Sequence, residues 1–568
     1  MNQRHVLLPL SAVLILVGFI VASLVFLFLF SLREGTPWDP GPYTLQHYVA
    51  VYSTPATYAV FFNTAVVAAA STAISLGIAM VFAFLTERTD MPFRNLAWGL
   101  MLVPIAVPGL LFAISWTFLL SPKIGLFNLW LRELFSVFGV EWSEGPLNLY
   151  SLWGMVFLEG LRGVTTIFLM VVGAFRAMDA SLEEASSVAG ASSWITFSRV
   201  TVPLLMPAIL AAASYNFMTN LESLEIPIVI GVPAAIHVFP TYIYFTTQRF
   251  SPPEYGLAAA LSVLLLLASI LLVVWYRRTI AQASSFATVT GKGYRPRLLT
   301  LGKWRYPALG LYFLFFLFTI AAPLFALLWR SLFRYHTELS KEALLRATWD
   351  NYRAVLNTAG LVSTVVNTFW VTVGAATLTM FLSLMAGWVI IRGKFKGRAS
   401  LDSLLFLPHA FPGVVIGLAF IFLCAQPPLS YLNLYGTVWL IILGLTVSYI
   451  PFGSRTMNVA VVQLHPELEE AAEVAGSNWP TLLRRIILPL LLPSFVSGWL
   501  WIASHSLRAF SLPLMLANRD SQVISMVMWR MWDDGSAGRT AALGVLLILV
   551  LALLTAAGRW LVNRLSRQ

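Results

Sequence analysis

Long apolar runs divided by short polar stretches dominate this chain. A helix needs about 20 mostly apolar residues to cross the hydrocarbon of a membrane. Twelve runs reach that length. Six lie at about 6–31, 58–85, 97–120, 150–176, 200–222 and 256–276; six more at about 306–329, 363–391, 402–424, 435–454, 486–507 and 541–558. They predict an all-α integral membrane protein with about 12 transmembrane helices. The first run follows Arg4 and His5. It is longer than a signal-peptide core of about 7–15 residues and has no clear small-residue cleavage site, so a retained span is expected.

Composition agrees. Apolar residues are 58% of the 568 and charged residues 11%, against about 25% charged in soluble domains. So few charges cannot coat a soluble surface of this size, which excludes a soluble enzyme, a disordered chain and a disulfide-built secreted protein. The one cysteine, Cys424, cannot close an intrachain bridge and reads as a small buried apolar side chain. The net charge of +11 is unevenly placed. Arg277, Arg278, Lys292, Arg295, Arg297, Lys303 and Arg305 form a linker without acids. Arg392, Lys394, Lys396 and Arg398 fill one loop, and Arg559, Arg564 and Arg567 mark the tail. All fall on one face if the chain starts inside, whereas Ser121–Tyr150 has mixed charge. The basic-inside bias puts the N-terminus, and with an even span count the C-terminus, in the cytoplasm.

The chain repeats itself. Glu183–Gly190 recurs as Glu469–Gly476, an offset of 286 that also relates Pro203, Pro207 and Pro227 to Pro489, Pro493 and Pro513. Earlier the offset is 304: Asn63-Thr64 matches Asn367-Thr368, and Pro104, Pro108 and Gly109 match Pro408, Pro412 and Gly413. The 18-residue difference fits the longer outer loop Ser121–Tyr150. The expected organisation is a first six-span repeat at 1–280, a basic cytoplasmic linker at 281–305 and a second six-span repeat at 306–568. Two parallel copies imply a pseudo-two-fold axis along the membrane normal, the natural place for a path.

Between the fourth and fifth spans of each half lies a cytoplasmic segment, Met178–Val200 and Leu464–Ile486. Each opens with a helical apolar stripe: Leu182, Ala185, Val188 and Ala189, then Leu468, Ala471, Ala472 and Ala475. Acids cluster at its start, where they suit the helix dipole. Gly190 and Gly476 permit a turn that other residues resist. Two copies of one helix–turn–helix read better as docking surfaces than as connectors.

The pattern Glu-Ala-Ala, three residues, Gly, nine residues, Ile-x-Leu-Pro resembles the signature loop of permease subunits of binding-protein-dependent ATP-binding-cassette (ABC) importers. The second copy matches throughout, as Glu470-Ala471-Ala472, Gly476 and Ile486-Ile487-Leu488-Pro489. The first has Ser186 for the second Ala, and Val200-Thr201-Val202-Pro203. The resemblance covers nearly the whole chain. It implies the fold of a type I importer permease, in which these loops hold coupling helices seated on the ATPase. Glu184, Ala185, Gly190, Glu470, Ala471 and Gly476 would take that role. It also implies two copies of a cytoplasmic ATPase subunit and an outer solute-binding protein as partners. The nucleotide site belongs to another chain. Gly-Lys occurs at 291–292, 302–303 and 393–394, never within the Gly-x-x-x-x-Gly-Lys-Ser/Thr that a phosphate loop needs.

Charges within spans usually face a partner or a cavity. Glu159 and Arg162, at i and i+3, predict a local ion pair, with path lining as the sharper alternative. Glu222 and Glu225 precede Pro227, and Arg508 and Ser511 precede Pro513 at the matched positions. Glu222 and Arg508 are expected across the pseudo-two-fold axis, as a gate pair or a substrate contact. Pro104, Pro108, Pro408 and Pro412 predict kinks in each third span. The seven histidines are scattered and form no Cys/His cluster, so no resident metal, catalytic centre or cofactor is expected.

An ion-coupled secondary transporter shares the span count but leaves the duplicated loops unexplained; a membrane enzyme lacks a catalytic cluster. The fused halves, and Glu87-Arg88-Thr89-Asp90-Met91-Pro92 after the second span, resemble the ferric-iron permease group. Thiamine, polyamine and phosphonate permeases are close to it. The expected function is import of a solute handed over by a binding protein, with ferric iron foremost.

Overall fold

The computed structural model of the protein describes residues 4–179, 181–283, 298–393, 395–477 and 479–565. Lys292, Arg295, Arg297, Lys394 and Arg567, and the side chains of Arg277 and Arg559, lie outside this description.

Among the described residues ten helices are long and apolar enough to cross a membrane. Eight of them are Pro9–Ser31, Pro55–Arg88, Leu152–Ala177 and Tyr255–Trp275 in the first half, and Gly302–Ser331, Leu361–Arg392, Val438–Gln463 and Ala537–Gly558 in the second. The fifth spans, Ser193–Leu221 and Pro480–Leu507, complete them. Each sits where a sequence run placed it. Ile15, Phe62, Leu271, Val362 and Leu553 stand exposed on their outer sides. A lipid-facing surface requires such a pattern and a water-facing one would not tolerate it.

The third spans are not the kinked helices expected from their prolines. Arg94–Ala106 meets Gly109–Leu120 at 99°, and Arg398–Ala410 meets Gly413–Ala425 at 111°. Pro104 and Pro408 open the short 3-10 turns that end each first piece. Val107 and Phe411 are then extended, and Pro108 and Pro412 stand as N-caps of each second piece. A residue before proline avoids the α conformation, so two prolines four apart break the helix instead of bending it. A third bent pair, Pro227–Ala234 with Phe239–Gln248, turns 75° between the fifth and sixth spans. It is not among the twelve runs, falling between those at about 200–222 and 256–276.

The second span packs along the fourth in both halves. Because lipid tails give apolar helices no reason to associate, small and polar side chains join them. Ser75 Oγ donates to the Gly160 carbonyl at 2.7 Å between the second and fourth spans, while bonds from Asn220 Nδ2 to Ser71 Oγ at 2.9 Å and from Asn216 Nδ2 to Thr72 Oγ1 at 3.2 Å tie the second span to the fifth. The first span of each half crosses to the other. Arg4–Ser31 packs on Gly413–Ala425, with Phe30 stacked on Phe422 at 4.5 Å. Ala322–Ser331 packs on Gly109–Leu120. The second pieces of the broken spans are therefore buried almost all round, at Gly109–Leu119 and Val414–Cys424.

Candidate functional site: the inner loops and the cavity between the halves

Each inner loop begins with a short helix, Ser181–Val188 or Glu467–Val474. Asp179 accepts the Ser181 backbone N–H at 2.9 Å, and that bond holds its carboxyl below the usual range. Gly190 and Gly476 end the helices at φ +86° and +78°. This left-handed conformation costs a side-chain-bearing residue about 1–2 kcal/mol. A second short helix follows, at Ser193–Thr196 and Trp479–Leu482, and then a widened π turn at Phe197–Thr201 and Leu483–Ile487. Pro203 and Pro489 lie just beyond. A proline ring clashes with the carbonyl four residues back, and the wide turn gives it room.

On these loops Ala185, Glu470 and Ala471 are exposed and Glu184 is half-buried. Val188 and Val474, matched positions, are each 90% exposed, with Leu182, Leu468 and Trp194 exposed beside them. Charge and apolar tips thus face outward together in both copies. Sequence reasoning passed over the acid before each of Glu184 and Glu470. Glu183 Oε2 lies 2.7 Å from Arg88 Nε, and Glu469 Oε1 accepts from Arg392 Nε at 2.9 Å. The available signal was the doubling itself, since Arg88 and Arg392 are related by the 304 offset.

A cavity of about 700 Å³ opens where the broken spans meet the fifth spans of both halves. It contains all four path candidates: Glu159, Arg162, Glu222 and Arg508. Their pairing differs from expectation. Arg162 Nη2 pairs with Glu225 Oε2 at 2.8 Å, across to the segment after the fifth span, and not with Glu159. The Glu159 carboxylate instead accepts from the Ser223 hydroxyl. The side chains of one helix face compete with whatever packs upon it, and here the neighbouring segment supplies the nearer partner. Glu222 and Arg508 line the same cavity, but no ion pair joins them. Arg508 donates to the Ile105 carbonyl, at the break of the other half, and its Nη2 lies 2.7 Å from His505 Nε2. His505 Nδ1 lies 2.8 Å from the Trp501 carbonyl. With Nδ1–H donating there, Nε2 accepts from Arg508, and the ring is neutral. In the other half Tyr215, the counterpart of Trp501, stacks on His409, the residue related to Ile105. Each break therefore touches the fifth span of the opposite half. The first half contributes acids and Arg162 to the cavity. The second offers Leu445, Ser448, Tyr449, His505 and Arg508.

The family of binding-protein-dependent transport system inner membrane components matches the chain twice, over residues 73–282 and 379–567. The chain belongs to this family. It is a membrane-embedded transport component with two fused repeats of the family domain. Its relatives include a putative ferric transport system permease protein of Haemophilus influenzae, FbpB 1, 27% identical over 79% of this chain and 69% of that protein. The ferric transport system permease protein FbpB of Actinobacillus pleuropneumoniae is 25% identical over 98% of this chain and 78% of that protein. A bacterial ABC transporter for the import of alginate, known from a crystal structure, aligns at a TM-score of 0.37 and 19% identity over 46% of this chain and 94% of that one.

Proposed function

We propose that this permease imports ferric iron, delivered by an outer binding protein and driven by two copies of a separate cytoplasmic ATPase. The observation that carries the ATPase part is the doubled inner loop: two short helices with the same glycine-ended geometry and the same apolar tips left uncovered. Glu184, Ala185, Gly190, Glu470, Ala471 and Gly476 form the docking faces. A motor with two like subunits suits two like surfaces. For the cargo, the ferric permeases among the relatives and the acids Glu159, Glu222 and Glu225 at the cavity favour a metal cation. Those acids, with Arg162 and Arg508, line the path. Both termini and both loops are cytoplasmic, in keeping with the basic residues beside them. The repeats extend over 1–280 and 306–568, with 281–305 as the linker.

The deciding experiment is reconstitution of the permease with the ATPase and binding protein that co-purify with it, followed by uptake of radioactive iron, thiamine and putrescine. Iron accumulation that requires ATP is expected, and Glu184→Lys with Glu470→Lys abolishes it because both docking faces reverse charge. Full iron uptake by that double variant would overturn the docking account. Uptake of thiamine or putrescine in place of iron would overturn the cargo.

A further inference from the structure

One joint is built twice at the cytoplasmic ends of the helices. Arg88 closes the second span of the first half and Arg392 that of the second. Besides their ion pairs with Glu183 and Glu469, the two guanidiniums hold corresponding carbonyls at the end of the fourth span. Arg88 Nη2 donates to Phe175 at 3.0 Å, and Arg392 Nη2 to Val461 at 3.3 Å and Leu464 at 2.7 Å. Phe175 and Val461 are related by the 286 offset, as are Glu183 and Glu469. The surroundings have diverged. Thr201 Oγ1 donates to Glu183 at 2.6 Å in one half, and Trp388 Nε1 to Glu469 at 3.1 Å in the other. The ion pair and the guanidinium–carbonyl bond are what both halves retain.

These pairs are shielded. The Arg88 and Glu183 side chains are 6% and 15% exposed, and those of Arg392 and Glu469 13% and 6%. An exposed pair would hold little. A buried pair stripped of one partner leaves an uncompensated charge, so the joint resists opening. Its position matters for mechanics. The chain joins each inner helix directly only to the fourth span and, beyond the glycine turn, to the fifth. The ion pair adds a third connection, to the second span. That span packs along the fourth, which carries Glu159 and Arg162 to the cavity.

We propose that Arg88–Glu183 and Arg392–Glu469 are positioning pairs that transmit force from each inner helix to the second span, a role separate from the docking faces at Glu184 and Glu470. The inference rests on the reading that an ATPase docks there. Its test is the ratio of iron taken up to ATP hydrolysed in the reconstituted complex, per assembled complex, for Glu183→Gln with Glu469→Gln. The ratio falls about tenfold or more, because the arginine left without its partner no longer holds the inner helix to the second span. Glu183→Asp with Glu469→Asp, which keeps the charge, restores at least part of it. A ratio equal to that of the unaltered complex overturns the proposal. That holds whether uptake and hydrolysis are both intact or both reduced in proportion. If the double variant does not reach the membrane, each single Gln variant is read by the same ratio. Failure of the ATPase reading is distinguishable, because the unaltered complex would then show no ATP-dependent uptake.

Discussion

At the scale of single residues, two kinds of glycine give opposite predictions. Gly190 and Gly476 have no atom within 4 Å of where a Cβ would sit, and their requirement is conformational, at φ +86° and +78°. Asn tolerates that conformation and Val does not. Gly190→Asn should retain ATPase co-purification close to the unaltered level, and Gly190→Val should reduce it, at a local cost of about 1–2 kcal/mol. Equal behaviour of the two variants would show that the left-handed turn is dispensable. Gly109 is constrained by space. A Cβ there would strike Glu225 and come 2.6 Å from the Arg162 guanidinium, whereas at Gly413 it would meet only Ser511 Cβ at 3.3 Å and Leu512 beyond. Gly109→Ala should therefore displace the Arg162–Glu225 pair and depress uptake, while the matched Gly413→Ala changes it little. Uptake by the two variants at equal membrane levels checks this. The contrast tests whether the ion pair matters, since both substitutions add one methyl group at equivalent points.

At the scale of elements, what was legible depended on how far each residue's partner lay along the chain. The ten long spans followed from apolar length alone, because the bilayer imposes one requirement on every residue of a span. The glycine-ended inner helices were legible because capping acids, apolar stripe and turn residue are all local. The third spans were misjudged in degree. Prolines four apart announce an interruption, but whether the pieces stay near collinear depends on what fills the bend. Here it is the fifth span of the opposite half, through Arg508 on Ile105 and Tyr215 on His409. Arg162 failed for the same reason, since its partner Glu225 belongs to a different segment. The Arg88–Glu183 pair was legible only by comparing the two repeats, as neither residue is unusual in one copy.

At the scale of the whole molecule, sidedness depends on the broken third spans. If each pair of pieces crosses the membrane, every half has six crossings, and both inner helices face the side that holds Arg392, Lys396 and Arg398. If each pair turned back, every half would have an odd number of crossings. The two halves would then point opposite ways and their inner helices would lie on opposite faces, where one ATPase dimer could not engage both. Crossing is the arrangement compatible with the basic-inside bias, and it places Ser121–Tyr150, with Lys123 and Arg132 against Glu133, Glu141 and Glu144, outside. Cysteine labelling separates the two cases cleanly, because the chain's one cysteine, Cys424, is 4% exposed and is removed by Cys424→Ser. In that background Tyr431→Cys, at an exposed point just beyond the second broken pair, should react with a membrane-impermeant maleimide in intact spheroplasts. Lys396→Cys, also exposed, should react only after lysis. Reaction of both from one side would mean that the second broken pair, Arg398–Ala410 with Gly413–Ala425, turns back. The two matched loops would then not share a compartment, and the docking account would fail along with the topology.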